Sequence, residues 1–166
     1  MLRCANRLYW RKPAKEPDMT PYDMIREQLG KAVPFANHVG VELIEVGDGL
    51  GVAALDQRQE TSNHIQTQHA GAMFTLGEAA SGAALAGAFG PMIFQARPVA
   101  SGAQISYVKI AKGRLEAHAK TERPGPELVK ELQEVGKTAF DINVDIRDDT
   151  GDTVVTMIVG WHVRKA

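Results

Sequence analysis

The chain has 166 residues with 44% hydrophobic content and a formal net charge of -1, which suits one globular domain. So small a net charge gives no electrostatic field for nucleic acid, and a small-molecule site is the better expectation. The single cysteine, Cys4, cannot form an internal disulfide and lies away from any His/Cys cluster with metal-ligand spacing. We therefore expect a cytoplasmic protein that requires no metal and no other cofactor.

The N-terminal part divides into an arm and the start of a domain. Residues 1–17 are basic and precede a predicted single domain over residues 18–166. The arm lacks serine and is short for a mitochondrial presequence, and its apolar part is too short for a secretory signal. Thr20 and Pro21 are typical of a helix cap followed by proline at the first helical position. Apolar residues at helical spacing follow, and Pro34 is expected to end this helix.

The next elements form a hairpin. Residues 39–46 and Leu50–Leu55 are strand-like runs, and the Gly-Asp-Gly sequence at 47–49 between them is typical of a tight turn. A polar loop over residues 56–68 then leads towards a long apolar segment.

This apolar segment, residues 70–88, is predicted to be a buried helix. It contains no proline and is rich in alanine, which favours a helix. Its glycines oppose the helix by about 1 kcal/mol each, so burial rather than local propensity must stabilise it. Glu78 interrupts the apolar run, and the many small residues make the segment too weakly hydrophobic to span a membrane. The sequence therefore predicts a core helix that carries one carboxylate.

Strands dominate the rest of the chain. The predicted strands after the helix cover residues 97–110, 113–122, 139–147 and 154–163. A short charged helix or loop at 127–135 lies among them, and the acidic segment 148–152 is a turn rather than a calcium loop, because it lacks the bidentate glutamate. The order of elements predicts an α+β fold with an antiparallel sheet of about five to six strands around one long helix. A free sheet edge favours pairing with a second copy, so we expect a homodimer or a dimer of dimers.

Glu78 and the start of its helix are the strongest candidates for chemistry. A buried carboxylate without a partner is costly, which makes a functional role the better explanation. The unpaired N–H groups of a helix N-terminus stabilise an oxyanion that develops on a carbonyl, and Gly71 allows close approach there. Glu78 lies about 10 Å further along the axis, too far for one chain to hold one carbonyl with both groups. A site shared by two copies removes this difficulty. The alternative is a structural Glu78 that pairs with a neighbouring subunit.

Four residues at fixed spacing form a pattern that resembles a known family: Asn63, His69, Gly71 and Glu78. This pattern, at the entrance and first turns of a central helix, resembles the hotdog-fold acyl-CoA thioesterases of the phenylacetate (PaaI-like) branch. It also resembles the DUF4442 group of the same superfamily. The resemblance covers residues 35–163 and includes the strand at 104–107. It implies a hotdog fold and an acyl-CoA substrate.

The resemblance also implies roles for individual residues. In that branch, the carboxylate in the place of Glu78 acts as general base or nucleophile towards the thioester, usually across a dimer interface. The residues in the places of Asn63 and His69 orient water or substrate. The N–H groups around Ala70 and Gly71 polarise the carbonyl. The common His-Gly-Gly of the family is His-Ala-Gly here, which changes how closely the backbone can approach.

Further substrate-binding residues follow from the same comparison. The strand position that aligns with a family serine is Ala100, and Ser101 is adjacent to it. Met73 and Phe74 are among the side chains expected to determine the length of the acyl pocket. The expected partners are an acyl-CoA and a second copy of the chain, with neither nucleic acid nor a membrane span.

Two other functions are open at this point. His64 and Glu78 are separated by the spacing found in hotdog 3-hydroxyacyl dehydratases, although the proline-rich surroundings of that motif are missing. The other alternative is a hotdog module that binds an acyl-CoA without catalysing a reaction.

Overall fold

The computed structural model describes residues 19–166, so the predicted basic arm, with Cys4, lies outside the described residues. A long helix packs against a six-stranded antiparallel sheet, which confirms the α+β architecture. The helices are α1 (Pro21–Ala32), α2 (Pro34–Val39), α3 (Ala70–Phe89) and α4 (Gly125–Val135). The strands are β1 (Glu42–Gly47), β2 (Leu50–Leu55), β3 (Ala96–Tyr107), β4 (Leu115–Thr121), β5 (Lys137–Arg147) and β6 (Thr153–Lys165). The sheet order β1-β2-β4-β5-β6-β3 leaves β1 and β3 at its edges.

The predicted cap of α1 is confirmed. The Thr20 hydroxyl accepts a hydrogen bond from the Asp23 N–H at 3.2 Å, and the Asp23 carboxylate accepts one from the Thr20 N–H at 3.0 Å. Pro34 does more than end this helix, because it also begins α2. Proline fits a first helical turn, where its missing N–H has no intrahelical partner. As a result β1 begins at Glu42, and the expectation of a strand from residue 39 is wrong.

The hairpin between β1 and β2 is confirmed. Gly47 pairs with Leu50, so Asp48 and Gly49 form a two-residue turn. Gly49 has a φ of 65°, a backbone conformation that glycine adopts without a steric penalty.

The strands after α3 agree with the predicted order but differ at their ends. β3 stops at Tyr107 rather than 110. The N–H groups of Val108 and Lys109 both donate to the Val154 carbonyl, so the regular pairing with β6 ends there. The segment 148–152 is a turn, as expected: one Asp148 carboxylate oxygen accepts hydrogen bonds from the N–H groups of residues 150 and 152. Within residues 19–166, no group of His, Cys, Asp and Glu side chains is arranged to hold a metal ion.

Small residues bring α3 very close to the sheet. A Cβ atom on Gly87 would overlap the backbone carbonyl of Gly47, and one on Gly51 would overlap the carbonyl of Ala80. The helix is buried along most of its length by β2, β4 and β5. Of the helices in the described part of the chain, none has the length and hydrophobicity to cross a membrane.

A short 3-10 segment, Gly90–Gln95, leads the chain from the end of α3 into β3. The two edge strands have different surroundings, because α1 packs against β1, whereas β3 is exposed along almost its whole length. The middle of α3, which carries Glu78, lies on the side of the molecule where this exposed edge strand begins.

Candidate active site

Glu78 lies half-buried on α3, at the wall of a cavity of about 340 Å³. The cavity is lined mainly by aliphatic side chains, together with the Trp161 ring. Burial raises the pKa of the Glu78 carboxyl above its ordinary value. Within residues 19–166, this carboxylate has neither an ion pair nor a side-chain hydrogen bond, so these residues leave a proton acceptor facing the cavity without a structural partner.

Two hydrogen bonds fix the helix turn that carries Glu78. The indole N–H of Trp161 donates to the Ser81 hydroxyl at 3.1 Å, and that hydroxyl donates to the Glu78 backbone carbonyl at 2.7 Å. Ser81 is fully buried, so both bonds are shielded from water. The contact attaches the middle of α3 to strand β6 and holds the backbone of Glu78 in place.

His69 is the cap of α3. Its Nδ1 accepts a hydrogen bond from the Gly71 N–H at 2.9 Å, which leaves the other ring nitrogen as the proton-bearing one in the neutral ring. The Gly71 N–H is therefore already bonded, whereas the sequence pattern favoured it as a group facing the substrate. The Ala70 N–H has no acceptor among residues 19–166 and is an available donor at this helix start.

Asn63 closes the loop that precedes the helix. Its side-chain oxygen accepts hydrogen bonds from the N–H groups of Ile65 and Thr67, both at 3.1 Å. Its amide nitrogen donates to the Thr67 hydroxyl at 2.7 Å and to the Gln68 carbonyl at 3.4 Å. Within this chain, both ends of the side chain thus hold the loop that leads into His69.

Tyr107, the last residue of β3, is hydrogen-bonded to the first residue of α3. Its hydroxyl donates to the Ala70 carbonyl at 3.1 Å, and burial raises the pKa of its phenol. Tyr107 was expected only as part of a strand, and neither Ser81 nor Trp161 was expected to have a role at the site. Nothing in the local pattern pairs positions so far apart in the chain.

The predicted site residues line four separate hollows in one chain. Glu78 lies in the cavity described above. His69, Gly71 and Phe74 line a second hollow of about 410 Å³. The third hollow, of about 390 Å³, is lined by Asn63, Ala70 and Met73. The fourth, of about 580 Å³, includes Ser101. Within one chain, Glu78 and the start of its own helix therefore face different hollows.

Strand β3 explains the position of Ser101. The pairing of β3 with β6 shifts between Ala100 and Gly102, so Ser101 is the extra residue of an irregularity. Ala100 lines the cavity of Glu78, whereas Ser101 lines a hollow shared with Arg97 and Arg164.

His64 is exposed in the loop before α3 and is not among the residues that line the cavity of Glu78. His64 and Glu78, the two residues that a dehydratase would require, therefore do not line the same cavity within one chain.

Residues 19–166 leave two surfaces around Glu78 uncovered. One is a stripe of exposed or half-exposed residues along α3: Gly71, Phe74, Glu78 and Gly82. The other is edge strand β3, in which only Ala96 and Ile105 are half-buried and no residue is buried. Unpaired strand edges are sites at which another chain can add to a sheet.

The family model described as a domain of unknown function, DUF4442, matches residues 23–163, nearly all of the described chain. The chain belongs to the DUF4442 family. None of the curated proteins matches this DUF4442 chain.

Solved structures share the fold of this DUF4442 chain. A Pseudomonas aeruginosa protein described as of unknown function and a probable thioesterase is 21% identical, with a TM-score of 0.75 over 89% of this chain and 97% of its own. The Escherichia coli PaaI protein of the phenylacetic acid degradation operon is 18% identical, with a TM-score of 0.70 over 88% and 94%. A hypothetical thioesterase from Streptococcus pneumoniae with coenzyme A is 20% identical, with a TM-score of 0.60 over 76% and 87%. These likenesses confirm the hotdog fold.

Proposed function

We propose that this DUF4442 protein is an acyl-CoA thioesterase whose active site forms between two copies of the chain. The observation that carries the proposal is Glu78, a half-buried carboxylate of raised pKa at an apolar cavity, without a partner among residues 19–166. A general base needs a pKa close to the working pH, and burial moves Glu78 in that direction. The hotdog fold shared with proteins described as thioesterases supports the same reaction class.

A second copy supplies what one chain lacks. Glu78 and the start of its own helix are about 10 Å apart along the axis, and they face different hollows. In the proposed dimer, two β3 edges pair and two α3 stripes face each other, so that Glu78 of one copy meets the helix start of the other. The described residues of one chain leave both surfaces uncovered, which supports this arrangement.

The proposed reaction is hydrolysis of the thioester by an activated water. The Glu78 carboxylate takes a proton from the water, and the resulting hydroxide adds to the thioester carbonyl carbon. The carbonyl oxygen becomes an oxyanion, which is stabilised by the positive N-terminal end of the other copy's α3, where the Ala70 N–H is the donor. Collapse of this intermediate breaks the carbon–sulfur bond. The proton on Glu78 passes to the departing thiolate, and a carboxylic acid and the coenzyme A thiol leave.

His69 and Asn63 support this chemistry in different ways. His69 caps the helix through Nδ1, and its Nε2–H is available to donate to the substrate or to the attacking water. Asn63 holds the loop that delivers His69, so we assign it as a positioning residue. Ala70 supplies the N–H, and Gly71 keeps the helix start free of a side chain. Met73, Phe74 and Ser101 are proposed to contact the substrate from the adjoining hollows.

The first test compares thiol release from a panel of acyl-CoAs by the wild type and by Glu78→Gln. We expect the variant to lose roughly 100-fold or more in kcat, because a positioned general base contributes about that factor. Its thermal unfolding should show that the fold is intact. Glu27→Gln, an exposed carboxylate on α1, is the matched control and should turn over normally. Equal turnover by Glu78→Gln and the wild type would overturn the proposal. Binding without turnover by the wild type would favour the acyl-CoA-binding module.

A mixing experiment tests the shared site. Glu78→Gln and Gly71→Leu each disable a different half of the proposed site, so each variant alone should be inactive. After joint unfolding and refolding in equal amounts, mixed dimers contain one intact site, and about a quarter of the wild-type rate should return. Activity that stays absent in the mixture, with both chains folded and dimeric, would place the whole site within one chain.

A further inference from the structure

The cavity at Glu78 is built by segments from both ends of the described chain. Its walls come from α1 and the segment after it, from α3, from the 3-10 segment, and from the start of β3 with Trp161 beside it. Its lining is mainly aliphatic, with Leu29, Leu85 and Ile93 among its larger side chains, and Gly30 and Gly82 complete it. Apart from the Trp161 indole N–H, which already donates to Ser81, only Glu78 and Asn37 in this lining carry a polar side-chain group.

We propose that this cavity is a chamber for an unsubstituted hydrocarbon acyl group of up to about ten carbons, and that Gly82 determines its depth. The inference rests on the proposed thioesterase function, because it assumes that the acyl group lies on the cavity side of Glu78. It adds the class of acyl group and the residue that selects its length.

The volume of the chamber sets an upper limit on the length of the acyl chain. A methylene group is similar in size to a water molecule, which occupies about 30 Å³ in the liquid. The cavity of about 340 Å³ therefore accommodates roughly ten such groups. The end of a longer acyl chain would extend out of the chamber into water, so further methylene groups would add no binding free energy.

The lining determines the chemistry of the acyl end. A hydroxyl or carboxylate there would lose its hydration and would find only Asn37 and Glu78 as polar side chains. A carboxylate would also be repelled by an ionised Glu78. A plain hydrocarbon end instead gains from contact with Leu29, Leu85 and Ile93.

Gly82 is the residue at which the chamber can be made shorter. It lies one helical turn beyond Glu78 on the same stripe of α3 and is half-exposed. A Cβ atom there would meet only the Trp161 ring, at 3.9 and 4.0 Å, which is ordinary contact. Within one chain, a larger side chain at this position therefore has room to enter the chamber without disturbing the helix. Because Gly82 also belongs to the stripe that faces the second copy in the proposed dimer, the variant is compared with the wild type only as a dimer. Gly30 lies in the wall that α1 forms, and a Cβ there would meet nothing within 4 Å.

The first half of the experiment measures kcat/KM for butanoyl-, octanoyl-, decanoyl- and palmitoyl-CoA. For the wild type we expect a rise up to about ten carbons and no gain beyond. Gly82→Leu should lower the ratio of decanoyl to butanoyl turnover at least tenfold, because each methylene excluded from an apolar pocket costs about 10-fold or more. Gly30→Leu tests the wall that α1 forms and should move the ratio in the same direction. Ala139→Leu places the same leucine side chain on the exposed face of β5 and is the control.

The second half separates a failure of this inference from a failure of the proposed reaction. S-decyl-coenzyme A, a thioether that cannot be hydrolysed, should raise the melting temperature of the wild type and raise that of Gly82→Leu much less. That result without any thioester hydrolysis would support the chamber and overturn the thioesterase. Hydrolysis with the same chain-length profile in the wild type, Gly82→Leu and Gly30→Leu, all folded and dimeric, would overturn the chamber and leave the thioesterase intact.

Discussion

The two sides of α3 both carry glycine, but they leave very different amounts of room. On the side that packs on the sheet, a Cβ at Gly87 would overlap the carbonyl of Gly47, and a Cβ at Gly77 would lie 2.7 Å from the Met157 sulfur. On the side that carries Glu78, a Cβ at Gly82 would make only ordinary contact with the Trp161 ring.

The difference separates residues needed for folding from residues available for function. Glycine on the sheet side permits close packing of backbone on backbone, which a larger residue would prevent. Close packing does not require glycine on the other side, where the helix borders a cavity and an uncovered stripe. A small residue there leaves space for a ligand or for a second copy. Substitutions on the two sides should therefore have opposite consequences.

The largest expected effect is on the sheet side. Gly87→Ala should lower the free energy of unfolding by about 3 kcal/mol or more, because the overlap is with backbone that cannot rotate away. Urea unfolding followed by circular dichroism measures it. A change below about 1 kcal/mol would mean that α3 can shift on the sheet, and the contrast between the two sides would be lost.

The next effect concerns the attachment of the Glu78 turn to the sheet. Trp161→Phe removes the indole donor to Ser81 and should lower the free energy of unfolding by about 1–3 kcal/mol, since a buried polar group loses its partner. If this contact positions Glu78, kcat should fall more than KM rises.

A double-mutant cycle tests that contact directly. Ser81→Ala removes the shared hydroxyl, so Trp161→Phe in that background should have a clearly smaller effect on kcat. Additive effects of the two substitutions would show that Trp161 acts through packing alone.

The parts of the site that are local in sequence could be predicted, and the distant contacts could not. Helix α3 was expected from its alanine content and lack of proline, and the cap at Thr20 from its own signature. The placement of Glu78 two turns from Gly71 follows from the helical repeat. The pairing of Ser81 with Trp161 joins residues 80 positions apart, and that of Tyr107 with Ala70 joins residues 37 apart.

The sequence pattern also could not predict that α1 forms part of the cavity wall. The helix itself was predicted from its cap and its apolar spacing, but these fix only which of its faces is apolar. Which element that face packs against depends on the sheet order, and the register of the strands is set by tertiary packing.

A smaller effect of opposite sign is expected on the cavity side. Gly82→Ala should raise the free energy of unfolding by up to about 1 kcal/mol, because alanine is the better helix former and its Cβ fits. The same urea experiment measures it beside Gly87→Ala. A loss of stability comparable to that of Gly87→Ala would show that both sides of the helix are equally tight.

The smallest effect is the pH dependence of stability caused by Glu78. Burial raises the pKa of this carboxyl in the folded chain, so the folded state holds the proton more tightly than the unfolded state does. Between the unfolded and the folded pKa, the free energy of unfolding must then fall as the pH rises. Glu78→Gln removes this penalty, so its advantage in stability over the wild type should be larger at neutral pH than near pH 4.

Glu131 provides a control of the opposite sign on the surface. Hydrogen bonds from the Arg123 guanidinium and from the Thr138 hydroxyl lower the pKa of its carboxyl. It therefore stabilises the fold above the ordinary glutamate pKa and loses that contribution as the pH falls through the lowered value. Glu131→Gln should be less stable than the wild type at neutral pH and approach it in acid. If Glu78→Gln followed the same direction as Glu131→Gln, Glu78 would have an ionic partner in solution, and its assignment as an unpaired base would be wrong.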